Sequence, residues 1–401
     1  MRTLEKLQEF LKSDQVEVRR KAVTMLGEIK SEKGVQFLLE ALTDKDEIVR
    51  AIAIFSIGEI GAENAVEAVL PFLADKDANI RSAAAIALGK IRSKKAEDGL
   101  LLALKDSDDH VRGCVASALA QIGSEKAEKL LIKFSRQAEK PEVRRKAIMA
   151  LKEIPSEQVH QTLIEALADS DESVRNIAAL AIGELGLRAA EGKLIAMLEQ
   201  EHANVQMSLL FALGEIRSET AVDAITRLLG SAHKGVAHQA AAALSKIRSD
   251  KALASLIAVL ADGKFDMKWS VVEALGELRR AEAIPSLVNL LRDPDDDVRW
   301  SVARALGSIP SRQSVPPLVR MLRDPQVHIR SEAASSLGRL GFHECVDPLL
   351  NALNDPESEV AWNAAEALTE IGDTEALRQL EKLLPKMDPE LAERFKTRLQ
   401  K

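Results

Sequence analysis

Apolar residues recur along this chain with a long period. The segments EIVRAIAIFSIGEIG (47–61), ANIRSAAAIALGKIR (78–92) and DHVRGCVASALAQIG (109–123) align without gaps at a spacing of 31 residues. An arginine that follows an apolar residue anchors the register, at Arg19, Arg50, Arg81, Arg112, Arg144 and Arg175. The register runs on through Gln206, Ala237, Lys268, Arg299, Arg330 and Ala361, which makes twelve units. Every step is 31 residues except that from Arg112 to Arg144, which is 32. Seven residues after each anchor stands Leu or Ile, and ten residues after it again Ile or Leu. Six residues after it stands Ala or Ser in every unit but the first, which has Met25.

Within a unit the spacing is helical, as in Ile80, Ala84, Ala87, Leu88 and Ile91. This predicts a helix around each anchor. Shorter apolar runs, such as KGVQFLLEAL (33–42) and VDPLLNAL (346–353), predict a second helix before it. Asp is frequent six residues before the anchor, as at Asp44, Asp75, Asp106, Asp169, Asp293, Asp324 and Asp355. It reads as a cap for the helix that follows, and the Pro after it in the last three marks the break from the preceding helix. The anchor arginine and this Asp are expected to form a ladder of charged hydrogen bonds between units. Gln206, Ala237 and Lys268 interrupt the pattern, so the middle units are expected to be the least regular. No strand-like alternation of any length intervenes, and the predicted class is all-α.

A lone helical hairpin cannot bury its apolar face, whereas stacked neighbours can. Twelve stacked hairpins predict an extended solenoid over residues 1–401 as a single domain. Repeats occupy 1–371; a half-repeat and a terminal capping helix (DPELAERFKTRLQK, 388–401) occupy 372–401. The segment DKDANIRSAAAIALGKI (75–91) is the clearest copy of the unit. It resembles the HEAT-like repeats of the type named from phycobilisome lyases. The resemblance covers nearly the whole chain and implies a right-handed α-solenoid of about twelve 31-residue hairpins, a superhelix of the HEAT and armadillo type. Such repeats serve protein-binding scaffolds, chaperone-like bilin lyases and a few enzymes, so the fold alone does not decide the function.

At about 100° per residue, positions −1, +3, +6, +7 and +10 relative to the anchor share one face, the apolar one. Positions +1 and +5 lie opposite. The resemblance implies that this second face lines a concave groove. Position +1 carries all three tryptophans of the protein, Trp269, Trp300 and Trp362, and also Met207. Position +5 carries Phe55, Leu180, Phe211, Glu273, Arg304 and Glu366. A row of aromatic side chains on a free face is a candidate interaction site, with the charged residues one turn on supplying polar specificity. These ten residues are the predicted partner-binding set.

Composition narrows the chemistry. The 401 residues are 46% hydrophobic but only 3% aromatic, with no Tyr, so the core must be aliphatic. The net charge of −7 disfavours nucleic acid as a partner. Basic residues gather only at Arg20, Lys21, Arg145 and Lys146. Two cysteines, Cys114 and Cys345, exclude a disulfide framework and fit a reducing, cytoplasmic compartment. No window is apolar enough to span a membrane. HEAT-repeat deoxyhypusine hydroxylases hold iron between His-Glu pairs; here that register offers only His238-Gln239, while His343-Glu344 falls near the other helix. No phosphate-binding glycine loop or nucleophile elbow is present. The expectation is a non-enzymatic, cofactor-free, monomeric scaffold that takes a protein partner in its groove. The alternatives are a bilin-lyase-like chromophore chaperone and, less favoured, a hydroxylase-type metalloenzyme.

Overall fold

The computed structural model describes residues 2–262 and 267–383. Among these, every regular element is a helix. The second helices of the twelve hairpins are α1 (Val16–Ile29), α2 (Glu47–Ile60), α3 (Ala78–Ile91), α4 (Asp109–Ile122), α5 (Pro141–Leu151), α6 (Glu172–Leu185), α7 (Ala203–Glu215), α8 (Lys234–Ile247), α9 (Lys268–Leu278), α10 (Asp296–Ser308), α11 (Val327–Leu340) and α12 (Ser358–Ile371). Each is preceded by a first helix, such as Glu32–Ala41 or Val346–Ala352. Thr374–Leu383 is the half-repeat helix, and the proposed capping helix at 388–401 lies outside the described residues. The helices group into two compact units, Met1–Lys193 with α1–α6 and Leu194–Lys401 with α7–α12.

In each unit the predicted apolar face forms the core. Positions −1, +3, +6 and +7 of α3 are Ile80, Ala84, Ala87 and Leu88, all buried. Each fully buried leucine of this kind contributes about 1.5–3 kcal/mol. Two details of the predicted face change. Position +10 holds only in part: Ile91, Ile154, Ile216, Ile247, Leu278 and Ile309 are buried, whereas Ile29 and Leu185 are 41% and 37% exposed. Position +4, not assigned to the core by the angular argument, is buried in all twelve helices, from Val23 and Ile54 to Ala334 and Ala365. The reason is that an inner helix is covered by its own first helix and also by its neighbours in the stack, which widens the buried stripe.

Those neighbours touch through their backbones. A Cβ added to Gly58 of α2 would lie 2.5 Å from Ala87 Cα of α3, and one on Gly276 of α9 2.8 Å from Ala305 Cα of α10. The glycine eight residues after one anchor therefore faces the Ala or Ser six residues after the next. Only small residues fit there. Among the described residues no second helix packs against Met25 from that side, and it is 45% exposed.

The charged ladder is present. Arg19, Arg81, Arg144, Arg299 and Arg330 each donate through Nε and Nη2 to both oxygens of Asp44, Asp106, Asp169, Asp324 and Asp355, at 2.7–3.2 Å. Through Nη1 each also donates to the carbonyl six residues before itself, as Arg81 does to Asp75 at 2.9 Å. Lys268 keeps its rung by an ion pair with Asp293 at 2.8 Å, so the pattern is interrupted less than the sequence implied. Gln206 instead donates to the Leu198 carbonyl at 2.9 Å. The Asp of the ladder is not the helix cap. Its carboxylate accepts the backbone N–H two residues later, and that later residue holds the cap. Asp46, Asp77, Asp108, Asp171 and Asp295 accept from the first-turn N–H groups of α2, α3, α4, α6 and α10. The ladder Asp thus turns to the N–H two residues on, with or without a guanidinium from the preceding hairpin, as Asp44 and Asp75 show.

Candidate functional site

In the unit Leu194–Lys401, a cleft of about 670 Å³ opens along the +1 and +5 positions of α9 and α10. Trp269, Glu273, Trp300 and Arg304 line it together with Glu277 and Arg339. Both indoles are half-buried. They occupy equivalent positions one hairpin apart, and each is already held by a different neighbour. Trp269 stacks at 31° against His238 of α8, ring centroids 5.1 Å apart. His238 Nδ1 lies 3.3 Å from Ser270 Oγ, which fixes the imidazole. Trp300 lies under Arg304 one turn on, with the guanidinium 5.5 Å from the ring centroid. Arg304 also reaches Glu273 of the preceding helix at 3.9 Å. The far wall is polar: Glu277 accepts from Ser245 Oγ at 2.5 Å, and Arg279 donates to the Ser308 carbonyl at 3.1 Å. The cleft therefore offers two indole faces with cations and carboxylates at the rim.

The remaining predicted residues do not join it. Trp362 and Glu366 stand on α12, half-buried, and the hairpin between them and Trp300 carries Ser331 and Ser335 at the same positions. The three tryptophans are thus a pair and a single, because one register position holds serine. Met207 and Phe211 are half-buried on α7, where Lys246 lies over the Phe211 ring at 5.0 Å while pairing with Glu215. Phe55, in the other unit, has the same cover. It is 47% exposed, with Lys90 4.7 Å above its ring and paired with Glu59. Leu180 lines a separate cleft of about 820 Å³ in Met1–Lys193, with Ile86, Met149 and Lys146. The lysine lids are not evident from the sequence, although Lys90 and Lys246 share one register position, nine residues after the anchor. Arg20 is not a free cation of a basic stripe, since it grips Asp46 at 2.9 and 3.1 Å.

Among the described residues no three His, Cys, Asp or Glu side chains gather as metal ligands, and no helix is long and apolar enough to cross a membrane. Burial raises the Cys114 thiol above its ordinary value despite the nearby Lys146, and His110 Nε2 lies 3.7 Å from its Sγ. Burial also pushes the Cys345 thiol up, to about 11.

Hairpins stacked through their second helices define an α-solenoid protein. The HEAT-repeat family profile matches at residues 4–87, 35–101, 66–137, 128–191, 190–274, 255–338 and 321–394. The chain belongs to the HEAT repeats. Among solved structures, yeast importin-β (Kap95p) is similar with a TM-score of 0.69 at 14% identity, over 96% of this chain and 63% of that one. Kap121p bound to Pho4p gives a TM-score of 0.63 at 14% identity, over 97% and 50%. The chain spans less than two thirds of the length of these proteins, and at such identity the likeness is one of fold. No curated protein matches the sequence.

Proposed function

We propose that this protein is a non-enzymatic, cytoplasmic scaffold that binds a protein segment in the cleft between Trp269 and Trp300. The observation that carries the reading is the pair of half-buried indoles flanked by Arg304 and Glu273. Large rigid rings with a polar rim are the usual anchors of protein interfaces. The fold supports it, because similar solenoids have been solved with protein bound, as Kap121p with Pho4p. The segment inserts an apolar or aromatic side chain between the indoles, and its polar groups meet Glu273 and Arg304. No covalent chemistry is needed, and a monomer suffices for binding.

The test is affinity capture of the partner with wild type and with Trp269→Ala/Trp300→Ala, followed by measured affinities of the captured protein for each single variant. Each truncation is expected to weaken binding by about 2 kcal/mol or more, roughly thirtyfold. Melting temperature is recorded alongside. If Trp300→Ala unfolds the protein, Arg304→Ala carries the same test with less of the packing removed. Undiminished partner binding by a folded variant would overturn the cleft as the site. A linear tetrapyrrole added to the protein is expected to show no absorbance change; a shift would favour a chromophore carrier.

A further inference from the structure

The ladder lacks its rung at Arg112, and that absence has a chemical consequence in Met1–Lys193. Arg112 of α4 is oriented as the other anchors are, with Nη1 donating to the carbonyls of Asp106 and Ser107 at 2.7 and 3.0 Å. Residue 138 sits in the ladder position of the next hairpin, because its carbonyl accepts from Arg144 Nη1 at 2.8 Å. That residue is Ala138, where the other rungs carry Asp. Arg112 is only 6% exposed, and its Nε has no hydrogen-bond partner. An orphaned guanidinium N–H at such depth is costly.

Asp109, in the first turn of α4, fills the gap in part. It accepts from Arg112 Nη2 at 3.1 Å. The same carboxylate is also the nearest anion to Lys146 at 3.5 Å and to Arg145 at 3.8 Å, both on α5. Three cations thus share one carboxylate, and the two on α5 stand farther from it than Arg112 does. Burial pushes the Asp109 carboxyl up, but Lys146, Arg112 and Arg145 outweigh it and hold it below the ordinary carboxylate value. Lys146 lies across Gly113, its Nζ 3.1 Å from where a Cβ would stand, and reaches the cleft of about 820 Å³. Ile86, Met149 and Leu180 give the cleft its larger apolar side chains, and Glu153 and Glu184 line it at the Lys152 end. Lys152, farther along, is neutralised by Glu184 at 2.5 Å.

We propose that Arg145 and Lys146, underused by Asp109, receive a carboxylate from an acidic-apolar segment of a partner protein, whose apolar side chain lies on Ile86, Met149 and Leu180. The incoming carboxylate takes over the two α5 cations, and Asp109 is left wholly to Arg112. The chemistry complements the cluster, which carries two positive charges in excess on a chain of net charge −7. The site lies in the other compact unit from the tryptophan pair and does not depend on it.

The probe is a fluorescein-labelled twelve-residue peptide of alternating Glu and Leu, compared with its Gln/Leu counterpart by anisotropy at low ionic strength. The acidic peptide is expected to bind at least tenfold tighter. Arg145→Ala/Lys146→Ala should abolish at least tenfold of that affinity, and if this variant fails to fold, Arg145→Gln/Lys146→Gln serves instead. Ala138→Asp should weaken probe binding severalfold, because it gives Arg112 its rung and releases Asp109 to clamp Arg145 and Lys146. Ala138→Asn, of the same size and neutral, should leave binding as it is. Trp269→Ala/Trp300→Ala should not change it either, which separates this site from the other. Equal binding of the two peptides, or affinity untouched by the double variant, would overturn the proposal. Tighter binding of a single-stranded oligonucleotide than of the acidic peptide would do so as well.

Discussion

A ladder arginine does three things with one side chain. Arg330 ties its own loop through the Asp324 carbonyl at 2.9 Å and grips both oxygens of Asp355 in the next hairpin at 2.8 and 2.9 Å. Both partners are largely buried. Truncation in Arg330→Ala strands a carboxylate as well as removing bonds, so the expected loss is about 1–3 kcal/mol. Lys21 is exposed on α1 and makes no such contact; Lys21→Ala should change stability by less than about 0.5 kcal/mol. Urea melts of the two variants side by side provide the check, and equal midpoints would contradict the ladder. The arginine was legible from sequence because it recurs with an apolar neighbour at a fixed step. The second carboxylate of the motif was not. Asp44 and Asp46 are both plausible caps on spacing alone, and only the structure shows that Asp44 takes Arg19 while Asp46 accepts from Val49 N–H. Arg20 was misjudged for the same reason: its partner, Asp46, is 26 residues away in sequence.

At the scale of the element, the period of 31 residues fixed the number of hairpins and the helix around each anchor, because only one face of such a helix can be buried and its positions repeat. What spacing could not give was how closely helices approach. The glycine that recurs after Leu or Ile could end a helix or pack one, and the structure decides for packing at Gly27, Gly58, Gly276 and Gly338. This predicts opposite outcomes for one substitution. Gly58→Ala forces a methyl into Ala87 and should cost about 1–3 kcal/mol. Gly192, also helical, has open space where its Cβ would be, and Gly192→Ala should stabilise by about 0.5–1 kcal/mol through helix propensity. Thermal melts of both variants test the sign. The candidate site was legible to a similar depth. Equal register brought Trp269 and Trp300 to one cleft, yet register says nothing about the residue between, and Ser331 separates Trp362 from them. The lids on Phe55 and Phe211 escaped because a lysine nine residues past an anchor reads as surface unless the ring one hairpin back is considered with it.

Across the whole molecule the ladder makes stability depend on acid. Burial raises the carboxyls of Asp44, Asp106, Asp169 and Asp355, but the arginine hydrogen bonds and a backbone N–H outweigh it, and each is held below its ordinary value. Asp293 is lowered in the same way by Lys268. A carboxyl whose folded value is depressed stabilises the folded state above the unfolded value of about 4, and that contribution disappears as pH falls through the folded value. The melting temperature should therefore stay nearly level from pH 7 to about pH 5 and fall steeply below about pH 4. Arg330→Ala should show a shallower fall, since Asp355 then titrates nearer its ordinary value. A wild-type profile that stays level to pH 3 would show that the rungs contribute nothing.

The contact of Gly58 with Ala87 also bears on how such an array can be lengthened. At Gly27, Gly58, Gly89, Gly214, Gly276, Gly307 and Gly338 the joint is a matched pair, with a missing side chain on one hairpin and a small one on the next. A segment copied from inside the series, such as residues 78–108, brings both halves of the match and can be spliced in beside its parent. A copy of the first hairpin cannot, because it would set Met25 against a glycine that leaves room only for a methyl or hydroxymethyl group. Lengthening by interior copies is therefore the route these glycine joints accept.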